Sequence, residues 1–219
     1  MYKIISHVNI MYLLDLCCGT QSLKSKTNLK YVGLDINKIT DNKIPDIICD
    51  IKLWDYKSYF KNNGLPKFIW FSPPCREYSI LNNARPEKIC DIDGSNEIVL
   101  KGLEIINYCK CNYVIENPQT SKLKNQYFMQ DLPFADVDYC AYGYPYKKRT
   151  RLWNNFKFKG KKCKKSECPY KVNGRHIYSV GNSSYNTNLA EIFGNCSRLG
   201  QRYSIPDNLI NDIFNLAII

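Results

Sequence analysis

A cysteine stands where an apolar run of the sequence is forced to end, in the tetrapeptide Ser72-Pro73-Pro74-Cys75. The residues before it, 68–71, are all apolar and predict a buried strand. Two successive prolines cannot continue a strand ladder, so the chain must turn there and present the thiol at the strand's end. Ligands of open α/β sheets bind at this edge, where a thiol is placed like a nucleophile. The alternative is a structural cysteine beside an ordinary turn.

A carboxylate follows a second apolar run in the same way, in the segment Ile115-Glu116-Asn117-Pro118. The strand again ends in a polar pair and a proline, so we expect Glu116 at the same edge of the sheet as Cys75. A buried carboxylate beside a thiol can hydrogen-bond a heterocyclic ring. The alternative is a glutamate that caps a following turn.

Three acidic residues, Asp15, Asp35 and Asp50, end three successive predicted strands within the first fifty residues. The turn after Asp15 contains Gly19, which allows a ligand to approach closely, and we expect this turn to open a helix. Acids at such strand ends suit ribose hydroxyls, and Asp50 could accept from an adenine amino group while Ile51 packs on the ring. Each acid could instead cap a helix or a turn. Together they favour an adenosine-type ligand, and the lack of GxGxxG favours S-adenosylmethionine over NAD.

Short apolar runs alternate with helical stretches through the first two-thirds of the chain. This rhythm predicts an α/β fold with a mostly parallel sheet flanked by helices. The strands are predicted at residues 11–16, 31–34, 47–49, 68–71 and 113–115. Apolar residues at helical spacing predict one helix over 99–108 and another from Pro206 onward. Residues 154–188 are basic and polar without a clear period, which indicates a small insertion.

The composition fits one globular domain with an anionic partner. The 219 residues carry a formal net charge of +11, which favours nucleic acid as a partner. A lysine-rich solvated surface is the alternative, because Lys, Asn, Ile and Tyr are all abundant. Eleven cysteines, with no secretory signal and no apolar run of transmembrane length, indicate free thiols in a reducing compartment. We therefore expect a soluble, intracellular protein with no membrane partner.

Taken in order, these motifs resemble those of DNA cytosine-5 methyltransferases over almost the whole chain. The matching segments are Asp15-Leu16-Cys17-Cys18-Gly19, Gly33-Leu34-Asp35, Cys49-Asp50-Ile51, Ser72-Pro73-Pro74-Cys75, Glu116-Asn117, and Tyr142-Gly143-Tyr144-Pro145 with Lys148, Arg149 and Arg151. The resemblance implies a Rossmann-like, S-adenosylmethionine-dependent methyltransferase fold. It places the cofactor against Asp15, Cys17, Cys18, Gly19, Thr20, Asp35, Ile36, Asp50, Ile51, Ser72, Pro74 and Ser204. Gly181-Asn182-Ser183 competes with Ser204 for the last of these positions.

The chemistry that this resemblance implies is covalent catalysis on a base flipped out of the duplex. Cys75 would attack C6 of cytosine, and Glu116 would hold N3 and the exocyclic amine. Arg149 and Arg151 would stabilise the oxygen at position 2. Residues 76–97 would form the mobile loop that closes over the base.

The chain departs from the family pattern at several positions. Arg76 and Tyr146 stand where the family usually has Gln, and Pro118 stands where it usually has Val. The register of the arginine segment is open by one residue, so Lys148 and Thr150 could replace the two arginines. The arginines are favoured because they keep the charge.

By the same resemblance, residues 1–153 form the catalytic core, 154–197 a short target recognition region, and 198–219 a segment and helix that pack back on the core. Lysines crowd the start of the recognition region and predict phosphate contacts, with a solvated loop as the alternative. So small a region predicts a short or loose recognition sequence. Cys163, Cys168 and His176 are candidate ligands of a structural zinc ion, with Cys140 or Cys196 as a fourth. Free thiols are the alternative.

These inferences lead us to expect a monomeric enzyme that methylates C5 of cytosine in double-stranded DNA. One rival is an RNA methyltransferase, because a branch of the same family acts on transfer RNA. A second rival is a nucleic-acid-binding protein that has lost catalysis, although the intact Cys75 and Glu116 argue against it.

Overall fold

A seven-stranded sheet organises the protein in a computed structural model, which describes residues 11–37, 44–85, 87–164, 166–176, 178 and 198–218. The strands are β1 (Tyr12–Leu16), β2 (Lys30–Asp35), β3 (Ile47–Ile48), β4 (Phe68–Phe71), β5 (Asn112–Pro118), β6 (Phe134–Asp138) and β7 (Arg149–Asn154). They lie in the order β3-β2-β1-β4-β5-β7-β6. Neighbours from β3 to β5 pair in parallel, whereas β7 pairs antiparallel with both β5 and β6.

The strand order opens a ligand crevice between β1 and β4. After β1 the chain moves outward through β2 and β3, and β4 then returns to the other side of β1. Where connections leave in opposite directions, a crevice opens outside the carboxyl ends of the two strands. The turn after Leu16 and the segment after Phe71 border this crevice.

Two apolar layers cover the two faces of the sheet. Side chains alternate between the layers, so that Leu14 and Phe71 belong to one layer, and Leu13 and Trp70 belong to the other. The helices are α1 (Tyr56–Asn63), α2 (Ile92–Cys109), α3 (Arg198–Tyr203) and α4 (Asp207–Ala217). The first layer contains residues of α1 and α2, and the second contains the buried face of α4.

The helix α2 packs closely on β4. Its first turn is capped by the Asp91 carboxylate, which accepts from the Gly94 amide at 2.9 Å. Within the helix, a Cβ at Gly102 would overlap the ring of Phe71. Glycine normally destabilises a helix interior, but here it allows the helix to approach the last residue of β4. The helix thereby supports the strand end that carries Cys75.

The structure confirms the five predicted strands, both predicted helices and the α/β fold class. The helix expected after Gly19 was wrong, because residues 19–25 form successive turns. One of these is closed by the Gln21 amide, which donates to the Cys18 carbonyl at 2.8 Å. Gln21 has a φ of 54°, in the left-handed region that interrupts a right-handed helix. No helix in the described ranges is long and apolar enough to cross a membrane.

The insertion contains a small hairpin that the sequence analysis missed. It consists of β8 (Lys171–Val172) and β9 (Arg175–His176), which pair antiparallel. Asn173 and Gly174 connect them with φ values of 50° and 77°, as in the two-residue turns that favour the sequence Asn-Gly. The hairpin carries His176 at the end of β9.

Candidate active site

The turn after β1 borders one half of the crevice. Cys17 and Gly19 have positive φ values, 56° and 48°. The Gly19 amide donates to Oδ2 of Asp35, at the end of β2, at 3.0 Å. A Cβ at position 19 would meet no atom of the described residues within 4 Å, so that part of the structure leaves space for a ligand beside this turn. The structure thus brings the predicted Gly19 and Asp35 together.

Asp15, Cys18 and Thr20 are buried around this turn. Asp15 accepts a hydrogen bond from the Tyr31 hydroxyl at 2.8 Å. Burial raises the pKa of Asp15 to about 8, against the opposing effect of that hydrogen bond. Burial also raises the pKa of the Cys17 and Cys18 thiols, so both stay neutral. These residues shape the turn and offer a ligand few exposed atoms.

The ends of β2 and β3 place the other predicted cofactor residues at different depths. Ile36 is 56% exposed, so its side chain is available to a flat ring. The Asp50 carboxylate accepts from the Lys52 amide at 2.9 Å, so the capping role considered for it is present. Ile51 is buried in the core. The apolar surface on this side of the crevice therefore comes from Ile36 more than from Ile51.

The segment after β4 holds Cys75 at the carboxyl edge of the sheet. The Ser72 amide donates to the Leu16 carbonyl at 3.1 Å, which ties this segment to the end of β1. Asn117 of β5 is fully buried, and its Nδ2 donates to the Pro73 carbonyl at 3.0 Å. The Cys75 thiol is partly exposed beyond these two anchors.

Glu116, Tyr139 and Lys148 form a polar group near Cys75. The Tyr139 hydroxyl donates to Oε1 of Glu116 at 3.3 Å, and Nζ of Lys148 lies 3.5 Å from the same oxygen. Lys148 also donates to the Arg202 carbonyl at 3.0 Å. Burial and the charge of Glu116 raise the pKa of the Cys75 thiol, whereas the charge of Lys148 lowers it. The thiol, carboxylate and ammonium groups are therefore within electrostatic reach of one another.

The strand register explains why a lysine reaches Glu116. In the β5–β7 ladder, Glu116 is paired with Leu152. Because side chains alternate along a strand, Thr150 and the preceding Lys148 are on the Leu152 side of the ladder, and the two arginines are on the opposite side. The other register considered for the arginine segment, with Lys148 and Thr150, is therefore the one that approaches Glu116.

Of the two arginines predicted for the site, Arg151 makes its described polar contacts with β6. Arg151 donates two hydrogen bonds to the Asp136 carboxylate, at 2.8 and 3.0 Å. Its guanidinium group also lies 3.6 Å from the ring centroid of Phe134. Arg149 is exposed at the start of β7. Arg151 therefore joins β7 to β6, and its charge is already paired.

The segment between α3 and α4 returns to the turn after β1. The Ile205 amide donates to Oγ of Ser22 at 3.0 Å, and the hydroxyls of Ser204 and Tyr144 share a hydrogen bond. The predicted Ser204 therefore directly precedes Ile205, which contacts the turns that follow β1. The competing segment, Gly181-Asn182-Ser183, lies outside the described residues.

Two tyrosines of the site were missed by the sequence analysis. Tyr139 contacts Glu116 as described above, and Tyr203 is 48% exposed at the end of α3. Burial raises the pKa of Tyr203, and the charges of Cys75 and Asp35 also act on it. Its hydroxyl is therefore within electrostatic reach of both halves of the crevice. No motif distinguished these residues among the seventeen tyrosines of the chain.

Comparison with known proteins identifies the family. No protein-family model matches the chain. The "Probable DNA (cytosine-5)-methyltransferase" of Frog virus 3 (isolate Goorha) is 31% identical to it over 224 residues, which cover 94% of this chain and 100% of the relative. The chain belongs to the DNA (cytosine-5)-methyltransferase family. A crystal structure of a Spodoptera frugiperda DNMT2 mutant matches this cytosine-5 methyltransferase with a TM-score of 0.47 and 14% identity, over 69% of this chain and 53% of that chain.

The crevice of this methyltransferase fits S-adenosylmethionine, the cofactor of its family. The open space beside Gly19 offers room for the ligand, and the Asp35 carboxylate at the strand end can accept from ribose hydroxyls. The exposed Ile36 offers an apolar surface of the kind on which an adenine ring could pack. Ser72 and the exposed Pro74 lie on the opposite border, between this pocket and Cys75.

A cluster of three cysteines and one histidine lies where the insertion of this methyltransferase meets its core. The ligand atoms of Cys140, Cys163, Cys168 and His176 all lie within 4.8 Å of one another. The structure thus brings together the three predicted metal ligands and, as the fourth, Cys140. Cys196, the other candidate, lies outside the described residues.

Proposed function

We propose that this protein transfers a methyl group from S-adenosylmethionine to C5 of cytosine in DNA, through a covalent bond between Cys75 and C6 of the base. The observation that carries the proposal is the ion pair of Lys148 and Glu116, 3.5 Å apart, at the sheet edge where Cys75 follows β4. These residues come from the ends of β4 and β5 and from the start of β7. A nucleophile, a carboxylate and a cation at one sheet edge are the groups that covalent activation of cytosine requires.

The reaction begins with the thiol of Cys75. Its pKa is raised by burial, so the proton must be lost before or during attack on C6. Lys148 favours the thiolate. Glu116 accepts from the exocyclic amine, and it also accepts from N3 once N3 takes up a proton as negative charge builds on the ring. C5 becomes nucleophilic and would take the methyl group of S-adenosylmethionine, which would leave as S-adenosylhomocysteine. Transfer of the C5 proton to solvent would then expel the thiolate and restore the aromatic base.

Two contacts of Glu116, one from Lys148 and one from Tyr139, change the roles suggested by the resemblance. We assign to Lys148 the stabilisation of the oxygen at position 2 that was expected of Arg149 and Arg151. Its Nζ already faces Glu116 and is held by the Arg202 carbonyl. The Tyr139 hydroxyl, which donates to Glu116, orients the carboxylate toward the base.

The cofactor would occupy the crevice between the turn after β1 and the end of β2. In this proposal Asp35 accepts from the ribose hydroxyls and Ile36 packs on the adenine. Gly19 allows the backbone to approach the ligand, because a side chain there would enter the open space. Asp15 supports the turn from the interior.

Duplex DNA is the substrate that the chain's charge and its relative's name favour. The relative is described as acting on DNA, and this chain carries a net charge of +11. Lys157, Lys159 and Lys162 are exposed at the start of the insertion, where they can contact phosphates. Residues 154–197 would then form the target recognition region, appended to a catalytic core of residues 1–153, with 198–219 packing back on that core.

The substrate is tested by offering labelled S-adenosylmethionine with duplex DNA and, separately, with transfer RNA. The products are digested to nucleosides and identified by mass spectrometry. We expect 5-methyldeoxycytidine from DNA with the wild-type protein and none with Cys75→Ala. Label in 5-methylcytidine of transfer RNA alone would replace DNA by RNA as the substrate. Label at an adenine or at the cytosine amino group would overturn the proposed chemistry.

A further inference from the structure

The cysteine and histidine cluster has the dimensions of a tetrahedral metal site. Sγ of Cys163 lies 3.6 Å from Nε2 of His176, and Sγ of Cys168 lies 3.4 Å from the same nitrogen. In a tetrahedron with Zn–S near 2.3 Å and Zn–N near 2.0–2.1 Å, the S···N separation is about 3.5 Å. Cys140 interacts with both Cys163 and Cys168. The four side chains therefore already converge on a common point.

The part of the insertion that supplies three of these side chains, as far as the structure describes it from residue 159 to 176, has no hydrophobic core of its own. Among the described residues from 159 to 176, none is buried, and Val172 of the hairpin is 56% exposed. A segment that buries so little apolar surface does not fold without a covalent or metal crosslink. The hairpin's two paired residues on each strand are too few to hold it in place.

The fourth side chain comes from the catalytic core. Cys140 is buried in the short helical turn after β6. Around it the insertion makes a few polar contacts to the same part of the core. The Cys163 amide donates to Asp138 at 2.8 Å, and the Tyr170 hydroxyl donates to the Gly143 carbonyl at 2.8 Å. The cluster thus joins the described residues 163–176 of the insertion to the turn after β6.

We propose that Cys140, Cys163, Cys168 and His176 bind one structural Zn²⁺ ion, which fixes the insertion to the catalytic core. Three thiolates and a neutral imidazole fill all four positions, so the site is closed to substrate and is not catalytic. The three thiol protons pass to solvent on binding. The resulting net charge of the site is −1.

The ion would also fix the position of an active-site contact. Cys140 directly follows Tyr139, whose hydroxyl donates to Glu116. Anchoring the turn after β6 therefore holds the tyrosine against the carboxylate. This consequence rests on the proposed function, whereas the metal site itself does not.

Metal content tests the proposal directly. We would purify the reduced full-length protein without chelators and measure zinc by plasma mass spectrometry, beside Cys163→Ser and the matched control Cys111→Ser. Cys111 is a free, partly exposed cysteine outside the cluster. We expect about one equivalent of zinc in the wild type and in Cys111→Ser, and less than about a tenth in Cys163→Ser.

Two measurements on the wild type keep the test independent of how the variants fold. Co²⁺ added to the metal-free reduced protein should give the intense visible bands of a tetrahedral thiolate complex. Chelation should speed trypsin cleavage between residues 157 and 171 by about tenfold, and added Zn²⁺ should reverse this. A wild type with under about a tenth of an equivalent of zinc and no tetrahedral Co²⁺ spectrum would overturn the proposal. Disulfide-linked cluster cysteines in the freshly purified protein would overturn it as well.

Discussion

Replacing Lys148 by Met should slow methyl transfer, because it removes the positive charge that faces Glu116 and Cys75. The charged atoms of Lys148 and Glu116 are 3.5 Å apart, and their side chains are 17% and 12% exposed. At an effective dielectric constant of about 20, Lys148 would interact with a unit negative charge that develops on the base at a similar distance by roughly 4.7 kcal/mol. If residual solvent halves this value, about 2.4 kcal/mol of transition-state stabilisation remains, equivalent to roughly a fiftyfold fall in kcat/KM.

The pH dependence of Lys148→Met should also shift in a defined direction. Burial and Glu116 raise the pKa of the Cys75 thiol, and Lys148 lowers it. Without the lysine, the thiolate loses a stabilising charge and its pKa rises further. The ascending limb of kcat/KM should therefore move to higher pH.

The assay is the initial rate of labelled methyl transfer to duplex DNA, measured across neutral and alkaline pH. The control is Arg149→Met, which removes one positive charge from an exposed neighbouring position. It should change kcat/KM by less than about threefold, since exposed charges interact weakly. Equal losses in the two variants, or a slower Lys148→Met with an unmoved pH limb, would refute the placement of Lys148 in the site.

Three further variants test the cofactor pocket, the strand anchor and the packing of α2. Asp35→Asn should weaken S-adenosylmethionine binding about tenfold or more by calorimetry, because a charged acceptor is lost; an unchanged Kd would exclude Asp35 from the pocket. Asn117→Ala leaves the Pro73 carbonyl without its donor, so kcat should fall about tenfold with cofactor affinity preserved; an unchanged kcat would show that this anchor is dispensable. Gly102→Ala places a methyl group against Phe71 and should lower the free energy of unfolding by about 1–3 kcal/mol in urea; a more stable variant would contradict the close packing.

Much of the fold could be predicted because its central strands are continuous apolar runs. Residues 68–71 are all buried in β4, and parallel strands covered on both faces produce this pattern. The same runs end in polar residues or proline, which placed Cys75 and Glu116 at one edge of the sheet. The C-terminal helix was predictable because its buried residues, such as Leu209 and Ile213, repeat with helical spacing.

Other features depend on contacts that a linear pattern does not encode. The turns after Gly19 replace a helix because Gln21 adopts a positive φ, which its residue type does not predict. Charge alone favoured the arginines of the β7 segment, whereas the structure pairs Glu116 with Leu152 and brings Lys148 within 3.5 Å of Glu116. Leu152 is apolar and buried. Because side chains alternate along a strand, Leu152, Thr150 and Lys148 lie on the same side of it, and this pattern could have set the register. Cys140 could not be preferred over Cys196 by spacing, because both are distant from Cys163 in sequence.

The central claim, that Cys75 forms a covalent bond with cytosine, is tested most directly by trapping that bond. In duplex DNA containing 5-fluorocytosine, the final step would have to remove fluorine in place of the C5 proton, so the adduct should persist. With S-adenosylmethionine present, we predict a protein–DNA complex that survives denaturation, with a single modified peptide that contains Cys75. Cys75→Ser should give no stable complex, and the control Cys111→Ser should behave like the wild type. Efficient methylation of ordinary DNA without any trapped complex, or a complex through another cysteine, would contradict the account.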